Sequence, residues 1–507
     1  MTTATEPIPD RRELAQRLLG HNGEMFLGGR WTASSSGDLI DTIDPTTEEL
    51  LGAVPKASAQ DVDRAVAAGY EAQPGWARLS WNERAAVLFE LASRVERHAG
   101  DFALLDALDG GISVTGMKRD VSNAVGYLRY FGGLSSEVKG DSLPMPGENI
   151  DFTLQEPYGV VGRIVPFNHP IQFAAQAIAA PLAAGNAVIL KPADQTPLSA
   201  LYLAKMAEDL LPAGVLSVLT GDGITTGSAI VRHHAIPRIG FTGSVPTGRQ
   251  ILRDAAEHIK AVTLELGGKN PLAIFPDADP VAAAAACARA MNFTRGQGQS
   301  CGSPSRVFVH EDIHDQFRAA LLAELEAIRV GDPVDALTEM GPLAFKAHYE
   351  RVVGYVGIGT DEDGATLIAG GRRPAHLPRG YFLEPTVFDA VSPGMRIARE
   401  EVFGPVLALI PWHDADAMVD AVNELPLGLT ANVWTSDLTS AMRFVQRVRA
   451  GYLSVNGAGQ RPIGTPFGGY GLSGLGKDSD LSELLSYARV KNVNVNLTAS
   501  ALWGTGH

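Results

Sequence analysis

The sequence has few cysteines and comparatively little positive charge, and these scarcities narrow what the protein can be. There are two cysteines in 507 residues, so no disulfide framework is expected and a reducing compartment such as the cytoplasm is favoured. Lys and Arg number 42 against 57 Asp and Glu, which gives a formal net charge of −15. Nucleic acids and anionic membranes attract basic surfaces, so neither is expected as a partner.

Long uninterrupted apolar runs are missing as well. The longest candidate, residues 173–190, is interrupted by Gln176, Pro181, Gly185 and Asn186, which is typical of a buried helix followed by a strand and not of a membrane span. Residues 1–20 contain no apolar core of a signal peptide, so we expect no export signal. A chain of 507 residues is too long for one compact core, and roughly two to four domains are expected.

From residue 160 onward, short apolar runs alternate with helix-like stretches, as in βαβ units with a parallel sheet covered on both faces. The first series comprises predicted strands at 160–166, 187–191, 215–219, 238–241 and 262–266, with helices at 171–184, 198–211, 224–233 and 247–258. The second series follows Gly268 and comprises predicted strands at 271–275 and 306–309, with helices at 280–291 and 312–329. The sequence therefore predicts an α/β fold with two doubly wound parallel-sheet domains.

Two further regions differ from these series. Long amphipathic helices are predicted before residue 140, at 59–72, 81–98 and 121–134. Residues 149–155 and 493–497 alternate apolar and polar side chains, as exposed antiparallel strands do. Such strands invite pairing with another subunit, and the alternative is a small ribbon within one chain. The pattern alone leaves both interpretations open.

One cysteine lies in a glycine-rich loop. Cys301 ends the segment GQGQSC at 296–301, where glycine removes side chains that would keep a substrate away from the thiol. Glu265, at the end of a predicted strand, could accept a proton from water. Together they are a plausible covalent catalyst with its own hydrolytic base. Cys287 lies in an alanine-rich run, where we expect a buried, inert thiol.

Three candidate cofactor segments follow predicted strands. Gly223 and Gly227 belong to a turn that resembles a dinucleotide fingerprint, although its third glycine lies one place late and the signal alone is weak. Residues 241–248 open a helix whose first backbone N–H groups suit a pyrophosphate. Lys191 and Asp194 could bind the hydroxyls of an adenine ribose. Ligands of open α/β sheets bind at the carboxyl ends of strands, so the three segments together favour a nucleotide cofactor.

Seven motifs occur in the order found in the aldehyde dehydrogenase superfamily, and the chain resembles that superfamily from about residue 26 to residue 495. The motifs are PFNHP at 166–170, KPAD at 191–194, FTGS at 241–244, ELGGK at 265–269, GQSC at 298–301, EEVFGP at 400–405 and PFGG at 466–469. The resemblance implies the two-sheet α/β fold predicted above and a dehydrogenase whose cofactor is NAD(P).

The resemblance also implies a role for each catalytic residue. Cys301 is the expected nucleophile and Glu265 the expected general base. The side-chain amide of Asn168 and the backbone N–H of Cys301 form the expected oxyanion hole. CoA-acylating members generally lack the glutamate, so water is the expected acceptor of the acyl group. A glutamate ordinarily has a pKa of about 4.3, and partial burial of Glu265 is expected to raise it. No metal is expected.

The cofactor residues implied by the resemblance lie on several strand ends. Lys191 and Asp194 are expected at the adenine ribose, Glu401 at the nicotinamide ribose and Phe403 beside the nicotinamide. Asp194 replaces a more usual glutamate but is still anionic, and should repel a 2′-phosphate, so NAD is favoured over NADP. His348 falls where a glutamine is common, the alternative being a surface histidine. The predicted set is Val165, Pro166, Phe167, Lys191, Asp194, Gly223, Gly227, Phe241, Gly243, Ser244, Leu266, Glu401 and Phe403.

The resemblance implies a three-part subunit. Residues 1–140 and 159–268 are predicted to form the NAD-binding domain, and residues 269–470 the catalytic domain. Residues 141–158 and 471–507 are predicted to be oligomerisation and bridging segments that contain the two exposed strands. A homodimer or homotetramer is expected.

Polar residues occupy positions where members that act on neutral aldehydes often carry aromatics. Arg295 and Arg461 are the most informative, because a guanidinium can bind a carboxylate through two parallel hydrogen bonds. Arg295 matches an arginine of succinate-semialdehyde dehydrogenases, but Gln176 replaces their second one. A semialdehyde or another polar or anionic aldehyde is the expected substrate. The alternatives are that the arginines pair with acidic residues, and that the substrate is a neutral aromatic or aliphatic aldehyde. The predicted substrate residues are His169, Phe173, Gln176, Arg295, Arg461 and Phe467.

Two other classes of function fit parts of the sequence. A thiol hydrolase of esters would use Cys301 and Glu265 without a cofactor, and tight NAD binding would distinguish it from a dehydrogenase. A non-catalytic binding protein would have the same fold without needing the catalytic residues. The joint presence of Cys301, Glu265, Asn168 and Glu401 argues against it.

Overall fold

Two large sheets covered by helices organise the chain. The computed structural model describes residues 10–20, 23–146, 149–457, 459 and 461–496. Within these residues no helix is long and apolar enough to cross a membrane.

The first sheet has eight strands, of which the central five are parallel. In spatial order the strands are Arg30–Thr32, Met25–Leu27, Leu216–Val218, Ala187–Lys191, Val160–Ile164, Arg238–Gly243, Ala261–Leu266 and Gly474–Leu475. Every residue of Val160–Ile164 and Ala187–Lys191 is buried, as expected for strands covered on both faces. The carboxyl ends of the five parallel strands lie along one edge of this sheet.

Helices of the first half of the chain pack around this sheet. They are Arg11–Leu19, Ala59–Arg78, Trp81–Arg97, Ala99–Gly110, Val114–Gly133, Pro170–Ala183, Leu198–Ala207, Ser228–Arg232 and Val245–Ala256. Ser58 and Ser80 begin two of them through capping boxes, in which each serine and an acidic residue three places on satisfy each other's backbone N–H groups. Pro170 begins another, where its missing N–H removes no helical hydrogen bond.

The second sheet has six parallel strands and one antiparallel edge strand. In spatial order they are Thr366–Ala369, Thr386–Asp389, Val406–Trp412, Arg306–His310, Pro271–Ile274, Thr430–Trp434 and Tyr452–Val455. The helices of this half of the chain are Pro280–Ala290, Phe293–Gly296, His314–Glu326, Lys346–Gly357, Arg396–Arg399, Ala415–Asn423, Leu438–Arg447 and Leu481–Leu485.

A separate antiparallel ribbon joins the two exposed strands that the sequence predicts. Asn149–Pro157 pairs along its length with Ala488–Asn496, and Ser142–Leu143 covers its other edge. Leu497, the predicted end of the second strand, lies outside the described residues. Two short pairs, Leu39–Ile43 with Leu50–Pro55 and Leu427–Gly428 with Tyr470–Gly471, complete the strands.

The predicted α/β class with two parallel-sheet units is confirmed, and most predicted elements agree to within a few residues. The helix predicted at 121–134 begins earlier, at Val114, because Ser113 caps it by accepting a hydrogen bond from the N–H of Gly116. The division into cofactor, catalytic and bridging domains stays a prediction. Gly474–Leu475, in a predicted bridging segment, belongs to the first sheet.

The single helix predicted at 224–233 is wrong. Gly223–Gly227 is a π-helical turn, and a short helix follows it. The Thr226 hydroxyl donates a hydrogen bond to the carbonyl of Ala57 (2.6 Å), and the Asp222 carboxylate accepts one from the N–H of Thr225 (2.6 Å). These side-chain bonds hold the turn against a distant segment, which a local helical pattern does not reveal.

Candidate active site

Two cavities meet at Cys301, which lines both. The strand-end cavity, of about 590 Å³, includes Gly243 and Leu266 at the carboxyl ends of first-sheet strands. The arginine-lined cavity, of about 100 Å³, includes three arginines and has polar amides and hydroxyls along much of its wall. The thiol can therefore contact molecules that enter from either side.

The loop that carries Cys301 is fixed by its neighbours. It follows the short helix Phe293–Gly296 and takes the left-handed backbone conformation at Gln297 (φ 55°) and Gly298 (φ 70°). A Cβ at Gly298 would overlap the carbonyl of Gly404, so both the backbone angle and the available space favour glycine. The position of the thiol thus depends on a segment about a hundred residues further along the chain.

The surroundings of Cys301 favour the protonated thiol. Burial raises the pKa of Cys301 to about 11. The Arg461 guanidinium opposes this change, whereas the Glu265 and Glu401 carboxylates reinforce it. The thiolate is the nucleophilic form, so attack on a substrate requires a proton acceptor or added positive charge near the sulfur.

Glu265 is a buried carboxyl group without a hydrogen-bond partner among the described residues. It is the penultimate residue of Ala261–Leu266 and lines the strand-end cavity with Cys301. Burial raises its pKa well above the ordinary value, and Asp478 adds to the effect. A Cβ at Gly468 would crowd one carboxylate oxygen, so a glycine gives this side chain its room. Its unsatisfied oxygens are free to hold a water or a proton.

Asn168 is buried beside the same thiol. It lies between Val160–Ile164 and Pro170–Ala183 and lines the strand-end cavity. Its side-chain N–H₂ donates to the carbonyl of Gln299 (2.8 Å), which orients the amide. An amide nitrogen carries two hydrogens, so one remains to stabilise developing negative charge on an oxygen bound near Cys301.

The strand-end cavity collects many of the predicted cofactor residues. Those that line it are Pro166, Phe167, Gly243, Ser244, Leu266, Glu401 and Phe403. Ser244 caps the helix Val245–Ala256, and the helix start lines the cavity. Pro246 has no N–H and that of Thr247 donates to the Ser244 hydroxyl, which leaves the N–H of Val245 for a ligand. Arg351, Tyr355 and Arg399 also line it and were missed, because no motif contains them.

Glu401 is held close to the backbone of the ELGGK motif. Its carboxylate accepts a hydrogen bond from the N–H of Gly268 (3.0 Å), and a Cβ at Gly267 would overlap the same carboxylate. Burial raises the pKa of Glu401, while Lys269 opposes the change. A side chain at residue 267 would therefore displace the Glu401 carboxylate from this position.

His348 is buried, so the alternative of a surface histidine is wrong. Its Nε2–H donates to the carbonyl of Phe403 (2.7 Å), and its ring lies among Phe167, Phe345 and Phe403. Burial lowers the pKa of His348 to about 4, so the ring is neutral at physiological pH.

The remaining predicted cofactor residues lie outside the wall of this cavity. They are Val165, Lys191, Asp194, Gly223, Gly227 and Phe241. Lys191, the last residue of its strand, is buried; burial lowers its pKa to about 8, and its ammonium donates to the carbonyl of Pro192 (2.9 Å). Asp194 is half-buried, and Asp194 and Asp222 are the carboxylates that favour the charged form of Lys191.

Five of the six predicted substrate residues line the arginine-lined cavity: His169, Phe173, Arg295, Arg461 and Phe467. The sixth, Gln176, is buried elsewhere, and its amide donates to the hydroxyl of Ser479 (3.4 Å). Ser300, of the GQSC motif, and Gln172, on the helix after PFNHP, line it as well. Further lining residues, which no motif indicated, are Arg119, Asn123, Tyr127, Asn292, Gly302, Thr430, Asn432, Tyr452, Ser454, Gly459 and Ile463.

A buried ion-pair cluster forms part of this wall. Asp120 is fully buried and accepts two hydrogen bonds from Arg295, one of them from Nε at 2.8 Å. His169 Nδ1 lies 2.6 Å from the other Asp120 oxygen, and the guanidinium also donates to Gln172 (3.0 Å). Burial by itself raises the pKa of Asp120, but His169 and Arg295 more than offset it, and the pKa is lowered.

Sequence comparison identifies the family. Residues 31–493 match the family described as Aldehyde dehydrogenase family. The chain belongs to the aldehyde dehydrogenase family. The resemblance drawn from the seven motifs is confirmed, and so is the predicted enzyme class.

Similar aldehyde dehydrogenases cover nearly the whole chain. A hydroxyisobutyraldehyde dehydrogenase of Mycolicibacterium austroafricanum is 40% identical over 484 residues, which cover 94% of this chain and 94% of that protein. The NAD⁺ complex of a Bacillus cereus aldehyde dehydrogenase is 37% identical, with a TM-score of 0.93 over 98% of this chain and 100% of that chain. A betaine aldehyde dehydrogenase of Staphylococcus aureus with NAD⁺ is 30% identical, with a TM-score of 0.92 over 96% and 97%.

Proposed function

We propose that this aldehyde dehydrogenase oxidises an aldehyde to the carboxylic acid with NAD as the hydride acceptor and Cys301 as the nucleophile. The observation that carries the proposal is the position of Cys301, which lines two separate cavities at once. A thiol placed in this way can hold the aldehyde carbon between a substrate in one cavity and a cofactor in the other.

The residues of the strand-end cavity suit a dinucleotide. The N–H of Val245, at the start of the helix that Ser244 caps, suits a pyrophosphate oxygen, and the Glu401 carboxylate suits ribose hydroxyls. Lys191 and Asp194 would hold the adenine ribose, and the anionic Asp194 favours NAD over NADP. Phe403 would bound the nicotinamide. NAD, when bound, supplies the acceptor for the hydride that leaves the aldehyde carbon.

The protein's own groups perform the covalent steps. Cys301 Sγ adds to the aldehyde carbon as a thiolate, and the free N–H of the Asn168 amide stabilises the oxyanion that forms. After oxidation the acyl group is bound to Cys301 as a thioester. Glu265 then takes a proton from water, the water oxygen adds to the thioester carbon, and the carboxylic acid leaves as the Cys301 thiol is restored. The raised pKa of Glu265 strengthens it as a base relative to an exposed glutamate.

The arginine-lined cavity favours a polar or anionic aldehyde over a neutral aromatic or aliphatic one. Its wall carries Arg119 and Arg461, which have no carboxylate within ion-pair distance among the described residues, together with amide and hydroxyl groups. A wholly apolar substrate would desolvate these groups without offering them a partner. The relative named for hydroxyisobutyraldehyde, which carries a hydroxyl group, supports a polar aldehyde.

Formation of NADH with purified protein tests the function. Absorbance at 340 nm would be followed with NAD or NADP and a panel that pairs neutral with polar aldehydes. We expect turnover with NAD, slower turnover with NADP and none for Cys301→Ser. Ester hydrolysis that is equally fast without any cofactor, with no NADH from any aldehyde, would instead indicate a thiol hydrolase.

The ribbon favours a homodimer or homotetramer, because the strand Ala488–Asn496 forms an edge of the three-stranded sheet and exposes Val490 and Val495. Light scattering after size-exclusion chromatography measures the mass. A monomer at micromolar concentration would contradict this part of the proposal.

A further inference from the structure

The wall of the arginine-lined cavity is positively charged in an acidic protein. The chain carries a net charge of −15, yet the described residues that line this cavity include Arg119, Arg295 and Arg461 and no aspartate or glutamate. The strand-end cavity, by contrast, has both acidic and basic residues in its wall. A local excess of positive charge in an acidic chain points to a ligand that brings negative charge.

Arg295 is not the residue available to such a ligand. Its guanidinium donates through Nε and one Nη to the buried Asp120, and the same Nη donates to Gln172. The Asp120 carboxylate therefore neutralises the Arg295 guanidinium, and hydrogen bonds within the protein fix the orientation of that guanidinium. The positive charges of the other two arginines remain.

Arg461 is differently placed. Its guanidinium stacks over the ring of Phe467, with its central carbon 3.9 Å from the ring centroid. Stacking uses the face of the guanidinium and leaves its N–H edge available. Within the described part of the chain, no carboxylate forms an ion pair with it, although it is half-buried. The Glu265 and Asp478 carboxylates act on its charge only from beyond ion-pair distance, so the carboxylate of a ligand at the N–H edge would supply the closest counter-ion.

Arg119 provides a second unpaired charge. It lies on the helix Val114–Gly133, one residue before the Asp120 that fixes Arg295, and its side chain is exposed while still lining the cavity. No described carboxylate forms an ion pair with it either. The cavity thus has two arginines without a carboxylate in ion-pair contact among the described residues. Arg461 stacks on Phe467, and Arg119 is exposed to solvent.

We propose that Arg461 and Arg119 bind the anionic group of the substrate, which is an aldehyde that also carries a carboxylate, while Arg295 shapes the wall through Asp120. The assignment rests on the proposed function. It specifies the substrate class, separates the roles of Arg295 and Arg461, which the sequence does not distinguish, and adds Arg119. Asn123 lines the same wall; one of its amide hydrogens donates to Gln172 (2.7 Å), and the other can donate to a carboxylate.

The test compares each acid with its neutral isostere. The kcat/KM values would be measured with NAD for 4-oxobutanoate, 5-oxopentanoate and 6-oxohexanoate, and for the corresponding ω-amides. We expect at least one acid to exceed its amide by about 10- to 100-fold, as hydrogen bonds to a charged group predict. The ratio should fall towards one in Arg461→Gln, fall by a smaller factor in Arg119→Gln, and be partly retained in Arg461→Lys.

Matched controls separate this inference from the proposed function. Arg443→Gln removes an exposed arginine that lines neither cavity and should leave the acid-to-amide ratio unchanged. Turnover of the amides with equal kcat/KM for every acid would overturn the inference and leave the dehydrogenase intact. An acid preference that survives in the double variant Arg119→Gln/Arg461→Gln would also overturn it. Absence of NADH from all six compounds and from the wider aldehyde panel would remove the proposed function itself.

Calorimetry supplies a readout that does not depend on turnover. Glutarate and its monoamide would be titrated into Cys301→Ser, which has no reactive thiol. Tighter binding of glutarate, lost in Cys301→Ser/Arg461→Gln and kept in Cys301→Ser/Arg443→Gln, supports the anion site. Equal affinity for the dicarboxylate and its monoamide in Cys301→Ser counts against it.

Discussion

The two cavities that share Cys301 are built in different ways. The wall of the strand-end cavity comes largely from strand ends and the loops after them, and its acidic residues are Glu265, Glu400 and Glu401. The wall of the arginine-lined cavity comes from the helix Val114–Gly133, the loop that carries Cys301 and residues from 430 onward. None of its described residues is acidic. Strand ends and their loops suit a cofactor that binds in the same way whatever the aldehyde. Single substitutions in the arginine-lined wall can change which aldehyde fits. We therefore expect changes in the strand-end wall to affect cofactor binding, and changes in the arginine-lined wall to affect the choice of aldehyde.

Removing the thiol should abolish the function that joins the cavities and leave each cavity intact. Cys301→Ser is expected to lose at least about 10³-fold in kcat with any aldehyde, because a serine hydroxyl is a much weaker nucleophile near neutral pH. The affinity for NAD, measured by calorimetry, should stay within about twofold. Loss of NAD binding together with activity would mean that the cavities are not independent.

Replacing the base should affect the second half of the reaction. Glu265→Gln is expected to lower steady-state turnover by about 10²- to 10³-fold because thioester hydrolysis loses its proton acceptor. In the wild type the base must be deprotonated, so hydrolysis should slow as pH falls through the raised pKa of Glu265. Single-turnover hydrolysis rates between pH 5 and 9 measure this. An identical pH profile in the variant would contradict the assignment.

Breaking the ion-pair cluster should alter the arginine-lined wall and its stability. Asp120→Asn leaves Arg295 without its counter-ion, and we expect a loss of about 3 kcal/mol in the free energy of unfolding. The pKa of Asp120 is lowered in the folded state, so its stabilisation is full above the unfolded pKa of about 3.9 and is lost as pH falls through the lower, folded value.

Denaturant unfolding at pH 7, followed by acid titration of the folded protein, tests this prediction. Asp420→Asn is the matched control, since that carboxylate is largely exposed and lies 3.9 Å from its partner. Equal stability of the two variants at pH 7 would show that the cluster is of little consequence to the fold.

A change confined to the strand-end wall should act on NAD alone. Gly267→Ala places a Cβ against the Glu401 carboxylate, so we expect the KM for NAD to rise by about tenfold while the acid-to-amide ratio of substrates is unchanged. Gly354→Ala, on the helix Lys346–Gly357 with open space around its Cβ position, is the control. A Gly267→Ala enzyme with normal KM for NAD would argue against Glu401 as a cofactor ligand.

The smallest effect concerns the choice between dinucleotides. Asp194→Ser removes a negative charge near Lys191 and should raise kcat/KM with NADP relative to NAD by a few fold to about tenfold. The comparison is made with one saturating aldehyde. An unchanged ratio would place the discrimination in other residues.

The sequence predicts the strand-end cavity far better than the arginine-lined cavity, and for a physical reason. Glu265, Gly243 and Ser244 occupy fixed places next to strand ends, so local pattern and topology suffice to place them. Asp120 carries no such signal, because it lies within a helix and acquires its partner only when that helix packs against the catalytic loop.

The roles of the arginines also depend on packing that the sequence does not reveal. Arg295 and Arg461 are equivalent candidates in the sequence, and only the packed structure shows that one is tied to Asp120 while the other stacks on Phe467. Arg119 was missed altogether, since an exposed arginine on an amphipathic helix is ordinarily a solvated residue. Whether an arginine has a carboxylate partner depends on which residues lie beside it in the folded chain, and the spacing of residues in the sequence does not give this.

The most direct test of the account is a single-turnover experiment with Glu265→Gln. The variant would be mixed with NAD and a reactive aldehyde, and NADH would be followed while the protein is analysed by mass spectrometry. The account predicts a burst of about one NADH per Cys301 and an added acyl mass on the peptide that contains Cys301. A burst without acylation, or acylation at another residue, would contradict the claim that Cys301 links the two cavities.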